Sequence, residues 1–294
     1  MNKFKIIAIF LLLIVSSFIF DTKQANAIKI GLQTNVKTAM IGISNNGGIF
    51  DGLTGKLIMQ LNALRPYNIK KIGTTLGITI NGQTYPLGTN FAVIKTYQSG
   101  YVSAKRKWYR GQIYIYNNYT GVIVVNNISL EDYLLGVVPS EMPRTWNYEA
   151  HKAQAIAARS YAVANLGKRK KYGYDLKDTP EDQAYGGASS ESLRTNKAVV
   201  ETSGQVLIQG NRVIPAFYCA SAGGYTLNSG DVWMRDLPYL KSVPSFDGAV
   251  RKMGHGIGMS QYGANNMANL GYNAYQILGY FYKDVKLYRI SVSL

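Results

Sequence analysis

One segment limits the folds open to this chain more than any other. Residues 148 to about 166 centre on Ala153-Gln154-Ala155-Ile156-Ala157-Ala158-Arg159-Ser160-Tyr161-Ala162-Val163-Ala164. Alanine has the highest helix propensity, and small apolar side chains on most faces describe a helix that other elements cover. Asn147 stands where an N-cap belongs and Gly167 where the helix should stop. The basic run Lys168-Arg169-Lys170-Lys171 then lies near the negative end of the helix dipole.

What precedes this helix reads as short strands. Ile28-Lys29-Ile30-Gly31-Leu32 and Ile78-Thr79-Ile80 alternate in strand fashion, the latter ahead of an Asn81-Gly82 turn. Residues 112–116 and 122–125 flank Asn117-Asn118-Tyr119-Thr120-Gly121 as a hairpin would. Ser129 is set to cap a short helix with Glu131 and Asp132 in its first turn. Beyond 166, a capped helix is expected over 195–204, strands over 206–208 and 213–218, and helices over 260–270 and 273–282. Strands first, then helices mixed with strands, predict an α+β fold: a strand-rich part (28–125) packed with a helix-containing core (126–294) around one cleft. No Pro/Ser/Gly-rich linker divides them, and nothing resembles a repeat array or disorder.

The first 27 residues read as a secretory signal. Lys3 and Lys5 precede a nearly unbroken apolar run over 6–20, and Ala25-Asn26-Ala27 has the small-x-small cleavage pattern. The apolar run is shorter than the ~20 residues that span a bilayer comfortably. Cleavage before Ile28 is therefore expected rather than anchoring, and either way the rest of the chain lies outside the cytoplasm. Cys219 is the only cysteine. An exported chain without disulfides points to a Gram-positive envelope. Lys and Arg number 32 against 16 Asp and Glu, a net charge of +16. Such a chain is drawn to polyanions; export disfavours nucleic acid and favours phosphate- and carboxylate-bearing wall polymers. The 23 Tyr suit a carbohydrate surface as well as strands.

Chemistry concentrates in two places. Pro139-Ser140-Glu141-Met142-Pro143 sets a lone carboxylate between two prolines. Gly254-His255-Gly256-Ile257-Gly258-Met259-Ser260-Gln261-Tyr262-Gly263-Ala264 packs polar side chains into a glycine-rich loop that enters a helix. Restricted and permissive backbones together hold polar groups in set places.

These two segments, with 130–138, 153–161, Ala220-Ser221-Ala222-Gly223-Gly224-Tyr225-Thr226 and Pro238-Tyr239-Leu240-Lys241-Ser242-Val243-Pro244, resemble in order the SpoIID/LytB family. The family comprises stage II sporulation protein D and the amidase enhancers. The resemblance implies lytic transglycosylation of peptidoglycan glycan strands stripped of their stem peptides, with Glu141 as the acid and base. It leaves two other readings open: a noncatalytic enhancer of an N-acetylmuramoyl-L-alanine amidase, and a basic wall binder with a decayed site. A useful acid needs a partly dehydrated site that raises its pKa. Hydrolysis would call on a second carboxylate, for which Asp132 and Asp182 are available.

Around Glu141 the expected substrate contacts are Arg159, His255, Lys241, Gln261, Tyr262, Ser140, Gln154, Gln183 and Tyr185. Arg159 is a charge in an otherwise apolar helix, so it either holds a substrate carboxylate or forms a structural ion pair. His255 is a sugar contact or is bonded to local backbone, and Ser260 is expected to cap the following helix. No cofactor is expected. Some relatives look as if they bind zinc near the equivalent of 217–221, but here Tyr218 stands at a possible ligand position. Cys219 is expected as a small buried residue, with no metal site. Serine nucleophiles at Ser160 or Ser260 lack an elbow motif; a Cys219–His255 pair stays open. Only nine residues, 245–253, separate Pro244 from Gly254, where relatives commonly carry a much longer segment.

Overall fold

A computed structural model describes residues 27–291. The expected signal, residues 1–27, lies outside the described residues except for Ala27. Among the described residues no helix is long and apolar enough to cross a membrane.

The strand-rich part holds β1 (Ile28–Val36), β2 (Thr38–Ile43), β3 (Gly47–Asp51), β4 (Leu57–Leu61), β5 (Tyr67–Ile72) and β6 (Thr75–Ile80). It continues with β7 (Gln83–Pro86), β8 (Phe91–Thr96), β9 (Val102–Ala104), β10 (Lys107–Tyr109), β11 (Gln112–Asn117) and β12 (Val122–Ile128). After it come α1 (Leu130–Glu141), α2 (Tyr148–Ala164), β13 (Leu176–Lys177), α3 (Leu193–Glu201), β14 (Gln205–Gln209), β15 (Arg212–Val213) and β16 (Tyr218–Cys219). The chain ends in α4 (Ser229–Val232), β17 (Met259–Ser260), α5 (Gln261–Asn269), α6 (Ala274–Phe281) and β18 (Lys286–Arg289). The fold is α+β, as the element order predicts.

One sheet runs β13-β1-β12-β11-β8-β3-β4 and a second β10-β9-β2-β5-β6-β7. Alternation in β11 and β8 buries Ile113, Ile115, Ala92 and Ile94 while Tyr114, Tyr116 and Phe91 face outward, half-buried. The β6–β7 turn is the expected one, with Asn81 and Gly82 both at positive φ (50° and 83°).

α2 explains its own composition. Its residues Ala155, Ala158, Tyr161 and Ala162 belong to the core built on the strands, whereas Ala150, Ala153, Ile156 and Ala157 belong to a second core with α5 and α6. A helix covered on nearly all sides has no room for large side chains, and alanine lets both neighbours approach closely. Asn147 caps it by accepting from Glu149 N–H.

The short helix expected after Ser129 is α1, which runs through Pro139 to Glu141, and two other local expectations need correction. Pro139 sits in the last turn, where it removes only one hydrogen bond, and the extended Met142 before Pro143 ends the helix (φ −128°, ψ 142°). α3 begins at Leu193 because Ser192 caps it, accepting from Thr195 N–H. The strand expected over 213–218 splits into β15 and β16, which join different sheets; Pro215 between them has no N–H to give a ladder.

Candidate active site

Glu141 is the last residue of α1, and the burial of Tyr133, Leu134, Val137 and Val138 fixes where that helix end points. It opens into a cleft of about 580 Å³ lined also by Ser140, Tyr161, Asp182, Phe217, Tyr218, Trp233, His255 and Gln261. Three donors from three separate segments hold the carboxyl. Ala184 N–H donates to Oε1 at 2.6 Å, the Tyr218 hydroxyl to Oε1 at 3.2 Å, and Gln261 Nε2 to Oε2 at 3.3 Å. Burial raises the Glu141 pKa above the ordinary glutamate value, and the three hydrogen bonds oppose that shift without cancelling it.

Behind these donors stands a second layer. Gln183 donates to Tyr218 Oη (3.0 Å) and to Ala158 O (3.2 Å), and accepts from the Tyr133 hydroxyl (3.2 Å). Gln261 also donates to Gln154 Oε1 at 3.4 Å, while Gln154 Nε2 is buried without a partner among the described residues. β16 and β17 pair in parallel, Tyr218 against Met259 and Cys219 against Ser260, so one short bridge sets the spacing of Tyr218 and Gln261.

The glycine-rich loop has the expected strain-free path: Gly254, Gly256 and Gly258 all sit at positive φ (95°, 76° and 74°). A Cβ at Gly258 would collide with the Phe217 carbonyl. Ser260 caps α5, accepting from Gly263 N–H. His255 Nδ1 accepts from Ile257 N–H at 3.0 Å, so the ring is bonded to its own loop. Burial, helped by the nearby Lys252 charge, lowers its pKa and keeps it neutral at pH 7. Its ring also leans on Trp233 at 5.3 Å between centroids, and Phe217 stands 4.6 Å from Trp233, making an aromatic wall.

Asp182 lines the same cleft but is fully engaged. Lys168 and Tyr161 reach Oδ1 (2.6 and 3.3 Å), and Arg169 Nε and Lys177 N–H reach Oδ2 (2.8 Å each). Burial alone would raise its pKa; the hydrogen bonds from Arg169, Lys168 and Lys177 outweigh it and hold the carboxyl below its usual range. Asp132 is at the other end of α1, bonded to Ser129 and outside the cleft.

Several expected contacts stand elsewhere. Arg159 is fully buried and grips Glu131 with two bonds of 2.7 Å, so it is the structural pair and does not line the cleft. Lys241 pairs with Asp236 at 3.0 Å on the surface. Tyr262 packs edge-on against Trp146, away from the cleft. Tyr185 is 3% exposed and donates to Asn126 in the strand core. Gln183 and Gln154 are fully buried and act through Tyr218 and Gln261. Ser140 lines the cleft, but its hydroxyl donates to Gly136 O at 2.7 Å.

Cys219 is buried and its thiol is pushed up to about 11 by that burial, so it is not a thiolate partner for His255. Ser160 donates to Ile156 O and accepts from Leu207 N–H, a structural role. Among the described residues no three His, Cys, Asp or Glu side chains gather where a metal could sit.

The shortened segment is anchored by a residue that sequence reasoning passed over. Buried Asp247 accepts from the hydroxyls of Ser221, Ser245 and Ser260 and from the N–H groups of Ala222 and Gly224. Burial would raise its pKa, but these bonds prevail and lower it. Nine residues therefore suffice to tie 220–226 to the start of α5. Trp233 and Ala184 were also missed, having no motif of their own, and Tyr218 was noted only as standing at a possible metal-ligand position.

Residues 118–208 match the family model described as stage II sporulation protein, SpoIID. The Bacillus subtilis amidase enhancer is 46% identical over 107 residues, covering 36% of this chain and 14% of that protein. Stage II sporulation protein D of Bacillus amyloliquefaciens is 39% identical over 136 residues, covering 41% of this chain and 40% of that one. An uncharacterised Brachyspira hyodysenteriae protein is 32% identical over 185 residues, 62% of this chain and 49% of its own length. The matched region thus spans half or less of each of these relatives. With α1, Glu141 and α2 all inside the matched region, that region is similar to the SpoIID family and to these named relatives.

Proposed function

We propose that the protein cleaves peptidoglycan glycan strands as a lytic transglycosylase, with peptide-stripped strands as substrate and Glu141 as the single acid and base. The observation that carries this reading is the contrast between carboxylates in one cleft. Glu141 has neutral donors and a raised pKa, whereas Asp182 is ion-paired and held ionised. A protonated Glu141 gives its proton to the glycosidic oxygen as the C1–O bond breaks. The sugar's own 6-hydroxyl then closes on C1, and Glu141 takes back the hydroxyl proton. The product is a 1,6-anhydro ring and no water is consumed. A base that activates water needs a lone pair left over: each Asp182 oxygen already accepts two hydrogen bonds, and Glu181, the third carboxylate lining the cleft, has both oxygens bonded to Lys177, whereas Glu141 Oε2 accepts only one. The aromatic wall of Phe217 and Trp233 offers a flat apolar surface for sugar rings.

The amidase-enhancer reading is kept because 46% identity to a protein of that name covers part of the chain. One experiment separates the two. Native protein and Glu141→Gln are incubated with amidase-stripped peptidoglycan, and the soluble products are read by mass spectrometry. Anhydro-muramic ends from the native chain alone support the transglycosylase; reducing ends indicate hydrolysis. No products from either, with faster turnover of an added N-acetylmuramoyl-L-alanine amidase, would replace the enzyme by the enhancer.

A further inference from the structure

An antiparallel sheet that buries one face against a core usually shows polar side chains on the other. The second sheet obeys this: Thr38, Asn68, Lys70, Thr79 and Thr84 point outward from it, with Thr79 and Thr84 bonded across the strands. The seven-stranded sheet does not. The outward positions of β3, β8 and β11 are Phe50, Phe91, Val93, Tyr114 and Tyr116, each partly exposed, while the residues that alternate with them in β8 and β11 are buried. Phe91 and Tyr116, opposite each other in the ladder, stack at 4.5 Å with 14° between planes. Tyr114 stands nearly perpendicular to both (75° and 85°). Tyr97, 49% exposed, meets Phe50 edge-on at 6.3 Å. The hydroxyls of Tyr97, Tyr114 and Tyr116 have no bonding partner among the described residues and are open to solvent. Aromatic side chains gathered on a solvated face mark a binding surface.

A polar row runs beside the aromatic one. Lys29 pairs with Asn127 and Asn127 with Gln112. Because Ile113 pairs with Ile94, Lys95 stands level with Gln112 on the next strand. Three strand spacings put the two lysine backbones roughly 14 Å apart, with two side-chain amides between them. Those amides make no bond among the described residues, and neither ammonium has a carboxylate within ion-pair distance there. Lys95 Nζ lies 4.5 Å from the centre of the Phe50 ring. Acids are scarce nearby. The strand-rich part carries eleven Lys and Arg over residues 28–128 against one acid, Asp51, whose Oδ1 accepts from Leu53 and Thr54 in its own turn. At the sheet edge Asp175 accepts from the N–H groups of Lys29 and Gly167, one on each oxygen.

The face borders the cleft. A Cβ on Gly173, in the turn after α2, would fall 3.7 Å from the Tyr116 ring, and the same turn supplies Lys168 and Arg169 to Asp182 in the cleft wall. A polymer that leaves the cleft over this turn reaches the aromatic face. One wall polymer matches rings, amides and cations together. Removing the stem peptide from a muramic acid residue frees its lactyl carboxylate, so a stripped glycan strand joins sugar rings and hydroxyls to regularly repeated negative charge. Aromatic rings pack the apolar faces of sugars, tyrosine hydroxyls and amides bond sugar hydroxyls, and the two ammonium groups attract carboxylates. A polyol-phosphate polymer would use the lysines and leave the rings idle.

We infer that this outward face of the seven-stranded sheet is a second binding surface, for a peptide-stripped glycan strand, and grips the strand that the cleft cuts. The inference rests on the functional reading for the identity of the polymer alone, and its test is binding.

Binding of stripped strands is measured by titration calorimetry in a Glu141→Gln background, where the strands stay intact, with carboxyl-amidated strands as the uncharged probe. Compared are Tyr114→Thr, which keeps a strand-forming residue, the double variant Lys29→Gln/Lys95→Gln, and Lys37→Gln/Lys70→Gln, which removes the same charge beside β2 and β5. Circular dichroism and thermal midpoint report folding. Tyr114→Thr and Lys29→Gln/Lys95→Gln should each weaken binding about fivefold or more, and Lys37→Gln/Lys70→Gln should bind as its parent does. On amidated strands the Lys29/Lys95 effect should vanish. Full affinity in the folded face variants overturns the inference. So does an equal loss in Lys37→Gln/Lys70→Gln, which would mean diffuse attraction to a basic chain. Full affinity for strands with lost stimulation of an added amidase also overturns it and gives the face to a protein partner. Cleavage by the native chain is read separately: binding through this face without cleavage removes the transglycosylase reading and leaves this surface standing.

Discussion

Arg159→Ala is the perturbation whose cost follows most directly from the structure. Arg159 is fully buried, with both of its bonds to Glu131 at 2.7 Å, and Glu131 is 14% exposed. The guanidinium also donates to Gln205 O (3.2 Å) and Val199 O (3.3 Å), so it joins α1, α2, α3 and β14 at one point. Removing one partner of a buried pair strands the other charge and costs about 3–5 kcal/mol. For a chain of this size that is a fall in thermal midpoint on the order of 10 °C. Arg159→Met with Glu131→Met removes both charges together. It should regain most of the loss, leaving about 1–3 kcal/mol for the carbonyls and the Gly204 N–H that lose partners. Thermal unfolding followed by circular dichroism, with glycan cleavage on the same samples, checks both limbs. A structural pair predicts that the double variant still cleaves. If it is stable but inactive, or if the single variant melts within about 2 °C of native, Arg159 serves the substrate and the buried-pair argument is wrong.

Three further outcomes follow from the site. Glu141→Gln should abolish cleavage and stabilise the fold at neutral pH: the folded carboxyl resists ionising, so native Glu141 costs stability above about pH 4.3, and the gain disappears below that in pH-dependent melts. Tyr218→Phe deletes a donor that lowers the Glu141 pKa, so the basic limb of the pH–rate profile should move to higher pH and kcat fall by about tenfold; an unmoved limb refutes the contact. Asp247→Ala leaves three hydroxyls and two amides without their acceptor, a loss of about 3 kcal/mol or more read by chemical denaturation. Because the Asp247 pKa is lowered in the fold, that stability is present above about pH 4 and fades as acid protonates it.

The legible parts of this molecule were those that local rules decide. The Asn81-Gly82 turn, the β11–β12 hairpin, the caps at Ser129, Asn147 and Ser260, and α2 were readable because each depends on a few adjacent residues. Glu141 stood out for the same reason, framed by its prolines. The rest depended on contacts between distant segments. Arg159 looked like a ligand because its partner Glu131 is 28 residues away. Tyr185 was expected as a substrate contact but turns into the core, and no local pattern says which way a loop tyrosine points. Tyr218 and Asp247 are reached across 77 and 26 residues by the groups they serve, Glu141 and Ser221. Such pairs are written in the topology of the sheets and not in spacing.

The place of α2 between two cores has a consequence for anyone who would cut this protein down. The region shared with the family model begins at the tip of the β11–β12 hairpin and ends inside β14. It contains α2 but only fragments of what covers it: most of the strands lie upstream, and α5 and α6 lie downstream. Expressed by itself, that stretch would present two bare alanine faces to water and would lack both Tyr218 and Gln261. The unit of homology is thus smaller than the unit of folding. Amide exchange should reveal this as a single slowest-exchanging block centred on α2, released only when the strands and the last two helices melt together.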